Sequence, residues 1–170
     1  MLTVISGGQT GIDRAALDAA IDAKLAYRGW CPKGGWAEDL PNPPGLRALY
    51  PGLRETSEAS PEQRTEWNVR DADTLIVLAD ARGIGCSTGT ALALYRAESY
   101  GKPHIVIGLD EAEALSKARN FLSARAGGTV CIAGPRESEG PGIYAKARVF
   151  LATLLSDSAL TEERLPLARR

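Results

Sequence analysis

Histidine occurs once in the 170 residues, at His104. That scarcity excludes a histidine-rich metal centre and leaves any general base to a carboxylate or that one ring. Cysteine is sparse as well. Cys31, Cys86 and Cys131 are odd in number and form no CxxC pair, so neither a disulfide framework nor a cysteine-built zinc site is expected, and the thiols are read as reduced. An excess of positive charge is missing: 20 Lys and Arg face 21 Asp and Glu, for a net charge of -1. Without a positive field to release counterions, nucleic acid is disfavoured as the main partner. No apolar run approaches the length of a membrane span, and residues 1–6 lack the basic segment and small-residue cleavage site of a secretory leader. The expectation is a cytoplasmic protein with no membrane partner.

The composition that remains is that of a folded chain, with 44% hydrophobic and 24% charged residues. A single domain over residues 1–155 and a polar tail over 156–170 are expected. Short apolar runs at 2–5, 25–30, 74–78, 104–107 and 129–133 read as strands. Helical spacing follows from Asp13, from Ser60-Pro61-Glu62 to Ala72, over 90–97 as a buried helix, over 110–125 and over 143–155. Between 32 and 52 a Pro- and Gly-rich stretch shows neither period, the mark of a functional loop. Continuous rather than alternating apolar strands, each followed by a helix, predict an α/β three-layer sandwich of Rossmann-like type, with a mostly parallel sheet of about five or more strands.

In such sheets ligands sit outside the carboxyl ends of the strands, and there this chain places its glycines. The first loop, Gly7-Gly8-Gln9-Thr10-Gly11-Ile12-Asp13, turns tightly and leads into a helix start, which favours an anion. It has neither the Gly-Lys-Ser/Thr ending of a P-loop nor a dinucleotide fingerprint. The second, Ser87-Thr88-Gly89-Thr90, offers hydroxyls that either hold a phosphate or cap their own helix. The third carries Arg136, a planar fork for an oxyanion, beside Glu137 and Ser138. Repetition at three strand ends makes a phosphate-bearing small molecule the expected partner.

Lys33 is a further candidate for binding the ligand, and around these loops Trp30, Glu38, Asp39, Arg64, Glu66 and Asn68 are candidates for the site wall. Glu66 and Arg70 are spaced for an i,i+4 pair, which reads the helix as a solvated face with Trp67 and Val69 as core. Glu38 and Asp39 are candidate acids or bases on a loop. His104, at the amino end of its strand, reads as structural.

Taken together, Gly7 to Asp13, Gly29-Trp30-Cys31-Pro32-Lys33-Gly34, Ala37-Glu38-Asp39, Arg64 to Asp71 and Ala133-Gly134-Pro135-Arg136-Glu137-Ser138 closely resemble the molybdenum carrier family, a circularly permuted branch of the SLOG superfamily. The resemblance implies a Rossmann-like homo-oligomer, a dimer or tetramer, and a role in binding molybdenum cofactor, a pterin that ends in a phosphate. The wider superfamily binds nucleotides, so a nucleotide is the other ligand it implies. Some of its members release a base from a nucleoside monophosphate, and their glycine-rich motif is similar to residues 87–93. Ala93 stands where their catalytic Glu would fall. Gly35, Leu40 and Thr88 also depart from the carrier pattern. The leading expectation is a binding protein or carrier holding molybdenum cofactor or a nucleotide by its phosphate. The alternative is a nucleotide-processing hydrolase of N-glycosidase or phosphohydrolase type, with Glu38, Asp39 or Glu66 as base.

Overall fold

The computed structural model describes residues 1–125 and 128–156; most of the expected tail lies outside them. Its elements run β1 (Leu2–Ile5), α1 (Ile12–Asp22), β2 (Ala26–Cys31), α2 (Leu46–Leu49), β3 (Leu53–Glu55), α3 (Pro61–Asp71), β4 (Thr74–Ala79), α4 (Thr88–Ser99), β5 (His104–Gly108), α5 (Ala114–Ser123), β6 (Gly128–Ala133) and α6 (Ile143–Leu155). The strands form one six-stranded sheet in the order β3-β2-β1-β6-β4-β5, and every pairing is parallel. The Rossmann-like α/β architecture expected from the sequence is therefore present.

Pleating sends alternate side chains of each strand to opposite faces. Val4, Ile76, Leu78, Ile107 and Ile132 pack with Ile12, Ala16, Leu151 and Leu155 under α1, α5 and α6. Ile5, Leu75, Val77 and Cys131 pack with Val69, Ala93 and Ala97 under α3 and α4. Ile12, Ile76, Leu78 and Ile132 are fully enclosed, and each contributes about 1.5–3 kcal/mol by leaving water. Alanines at 15, 16, 19 and 20 make the buried face of α1, which lets α6 approach closely.

Two expectations change. The stretch from 32 to 52 is followed by a short edge strand, β3, paired to β2 at Gly29, Trp30 and Cys31; three residues are too few for a period to show. Helix α4 is not buried all round, because only Thr90, Ala93 and Ala97 are enclosed while Tyr95 is 60% exposed. His104 lies at the start of β5 with Nδ1 3.0 Å from the Lys102 carbonyl. Among the described residues no helix is long and apolar enough to cross a membrane.

Candidate functional site

Strands β1, β6 and β4 are neighbours in the sheet, so the loops after them emerge side by side although they are far apart in sequence. From β1 the chain turns towards β2, and from β4 towards β5, which makes this the switch point where crevices form in parallel sheets. A cleft of about 40 Å³ opens there. Gly7, Gln9 and Asp13 line it from the first loop and α1. Arg64, Thr65 and Asn68 come from α3, Ser87, Gly89 and Thr90 from the start of α4, and Gly134, Arg136 and Glu139 from the third loop.

At the cleft lies a buried ion pair. Arg64 Nη1 sits 2.6 Å from Asp13 Oδ2, and the two residues are only 8% and 5% exposed. Gly7 makes the room: a Cβ there would stand 2.1 Å from Arg64 Nη1 and 2.6 Å from its Cδ. Burial pushes the Asp13 carboxyl above the ordinary carboxylate value, with Arg64 opposing the shift. Arg64 Nε is buried and has no hydrogen-bond partner. A guanidinium N–H without an acceptor costs about 1–3 kcal/mol.

Helix α3 therefore presents a polar face, with Arg64, Thr65 and Asn68 buried beside Val69; the solvated-face reading fails for those three, while Val69 is core as expected and Arg70 is exposed. Trp67 instead meets Trp30 edge-on at 4.7 Å. The expected Glu66–Arg70 pair is replaced. Arg70 Nε bonds Asp71 at 2.7 Å, and Glu66 takes Arg96 at 2.9 Å and the Tyr100 hydroxyl at 2.9 Å. Asn68 serves the sheet, its Oδ1 accepting from Trp30 N at 2.8 Å and its Nδ2 donating to Trp30 O at 3.0 Å.

At the start of α4 the Ser87 hydroxyl accepts from Thr90 N at 3.3 Å and from Thr90 Oγ1 at 2.9 Å, which is the capping reading of this loop. Thr88 is exposed. As the first residues of a helix, Thr88 and Gly89 have N–H groups with no acceptor inside it, and Gly89 faces the cleft. One turn on, Ala93 places a methyl group in the cleft wall.

Several other candidate residues hold the loops to one another. Glu38 accepts from Thr10 Oγ1 and from Ser138 Oγ at 2.6 Å and N at 3.3 Å. Burial opposes its ionisation, yet the bonds from Ser138 and Thr10, with Arg136 nearby, hold its carboxyl below the ordinary value. Gln9 Oε1 accepts from Thr10 N and Glu38 N, both at 3.0 Å. Asp39 is clamped by both terminal nitrogens of Arg14 at 2.9 Å. Glu137 accepts from Gly142 N and Tyr144 N and so caps α6. Arg136 is braced by Glu139, through N at 3.0 Å and Nε at 3.5 Å. Gly11 lets the first and third loops touch, because a Cβ there would lie 2.4 Å from the Pro135 carbonyl oxygen to which Ile12 N donates at 3.2 Å.

The candidates thus divide. Thr10, Gly11, Glu38, Asp39, Glu137 and Ser138 border a second, larger and more open depression of about 680 Å³, with Arg14, Asp18, Tyr50 and Tyr144. Trp30 borders a third with Arg28, Arg54 and Asp71, and Lys33 a fourth with Trp36 and Pro43. Gly8, at φ 72°, would bring a Cβ within 3.1 Å of Leu46 and belongs to packing. Of the cleft residues missed in the sequence, Thr65 and Glu139 bring polar side chains. Thr65 lay inside the charged block 64–71, and Glu139 lay within the third loop as one more surface acid. No group of three or more His, Cys, Asp or Glu able to hold a metal ion occurs among the described residues.

Comparison with known proteins adds three findings. A crystal structure of "Putative molybdenum carrier protein" from Syntrophus aciditrophicus SB is similar over 91% of this chain and 94% of that one, at 38% identity and a TM-score of 0.75. No curated protein matches. The model of the circularly permuted YpsA SLOG family matches residues 4–155, and the chain belongs to that family.

Proposed function

We propose that this chain is a carrier or binding protein that holds a phosphate-bearing small molecule, molybdenum cofactor or a nucleotide, in the cleft between the β1, β4 and β6 loops. The observation that carries the reading is the buried Arg64 Nε, an orphaned donor on the cleft wall beside the unpaired N–H groups at the start of α4. With no cluster of metal-ligating side chains among the described residues, a molybdenum-bearing cargo is held through its phosphate or oxo oxygens. The carrier designation of the 38% identical structure agrees with this reading.

Binding is favoured over hydrolysis by what occupies the carboxylates. Glu38, Asp39 and Glu66, the candidate bases, are each committed to hydrogen bonds or ion pairs of the fold, and Ala93 offers no acid. A thermal-shift screen of the purified protein against molybdenum cofactor, nucleoside monophosphates and simple oxyanions tests the proposal. Stabilisation that vanishes in Arg64→Met is expected; no stabilisation by any of them overturns it. Release of a free base from a nucleoside monophosphate would overturn the non-catalytic reading.

A further inference from the structure

We propose that the cleft takes up a proton with its anion: an oxyanion entering beside Gly89 draws the Arg64 guanidinium away from Asp13, and Asp13 accepts a proton from solvent as its partner leaves. The inference rests on the reading of the cleft as an oxyanion site and adds the means by which the site neutralises its ligand.

The geometry poses the problem. Arg64 carries one positive charge and already gives Nη1 to Asp13 at 2.6 Å, while its Nε waits without an acceptor. An oxyanion that satisfies Nε must share that charge with a carboxylate enclosed at 5% exposure. Two negative groups on one buried guanidinium do not both stay ionised at low cost.

Among the described residues that line the cleft or flank Asp13, the other cations are already engaged. On α1, Arg14 is committed to Asp39 through both terminal nitrogens and to the Gly8 carbonyl through Nε at 2.9 Å. On the third loop Arg136 is braced between Glu139 and Glu38, and Glu139 adds a negative charge of its own. From β6 the neighbouring group is Cys131, a thiol whose burial pushes its ionisation far upwards. From α4 and its cap the cleft receives Ser87, Gly89, Thr90 and Ala93, none of them with a charged side chain. Asp13 is the most enclosed of these carboxylates, and burial already pulls it towards the neutral form. In exchange, a protonated Asp13 gives up one Arg64 contact and the oxyanion gains it.

Sulfate is the suitable probe, because it is tetrahedral and does not titrate near neutral pH. Calorimetric titration of the wild-type protein with sodium sulfate, in pairs of buffers differing in ionisation enthalpy, reads the protons exchanged. Uptake approaching one proton per sulfate is expected, with affinity rising about tenfold for each pH unit of acidification above the Asp13 value. In Asp13→Asn the uptake disappears and the affinity becomes independent of pH. Sulfate binding to the wild type without proton exchange overturns the inference and leaves the cleft reading intact. Uptake that persists in Asp13→Asn removes Asp13 from it. No binding of sulfate, and none of a nucleoside monophosphate, overturns both.

Discussion

Replacing Arg64 with methionine keeps the apolar stem of the side chain and removes its charge, leaving Asp13 alone in the interior. The pair is enclosed on both sides, with side chains 10% and 7% exposed, so solvent screens little of the loss. Removing one partner of such a buried pair costs about 3–5 kcal/mol. At about 2–4 °C per kcal/mol for a chain of this size, the melting temperature falls by about 6–20 °C.

The deficit also depends on pH, and its sign follows from Asp13. Its carboxyl is raised above the ordinary 3.8 by burial even with Arg64 present, and removing Arg64 raises it further. A group raised in the folded state contributes stability that is present below its unfolded value and lost as pH climbs through the folded one. Urea unfolding of wild type and variant should therefore show the full gap near pH 7.5, and a gap shrinking towards zero as pH approaches 4. The double variant Asp13→Asn with Arg64→Met, which leaves no buried charge, should recover most of the loss at pH 7.5. A gap of the same size at both pH values, or one below about 1 kcal/mol at pH 7.5, refutes the account of this pair.

Glu38→Gln removes an acceptor from the latch between the first and third loops, and should cost about 1.5–3 kcal/mol together with faster hydrogen exchange over residues 36–40. Because Glu38 is held below its ordinary 4.5, the stability it supplies is present above that value and lost as pH falls through the lower folded one; exchange over the same residues should accelerate in the wild type only in that acid window. Gly11→Ala forces a Cβ against the Pro135 carbonyl oxygen at 2.4 Å from a φ of +74°, and should lower the urea midpoint more than Ser87→Ala, which loses one helix cap worth about 1 kcal/mol. A native thiol assay should count one fast cysteine, exposed Cys86, since Cys31 is pushed up to about 11 by burial and Cys131 is enclosed; denaturant should release all three.

The fold was legible wherever strand and helix periods were long. Continuous apolar strands such as Thr74–Ala79, enclosed at every position, announce a sheet covered on both faces. Strand β3 was not legible, because three residues on an edge carry no pattern. The loops were found because glycine and hydroxyl residues at strand ends stand out, yet their division of labour is tertiary. Nothing in Gly7 says that it makes room for a guanidinium 57 residues away, and nothing in Glu38 says that its oxygens are spent on Thr10 and Ser138. Arg64 was visible as part of a charged block, but a polar helix face aimed at a sheet looks in sequence like a solvated one. Proximity of β1, β6 and β4, which brings Asp13, Arg64 and Gly89 around one cleft, arises from strand order, and strand order is not written in local periodicity.

The most direct test is a crystal structure of the protein with a nucleoside monophosphate bound. The account predicts phosphate oxygens within hydrogen-bond reach of Arg64 Nε and Gly89 N, and the same ligand absent from Arg64→Met crystals. A phosphate seated instead in the open depression between Tyr50 and Tyr144, with Arg64 Nε still lacking an acceptor, would contradict it.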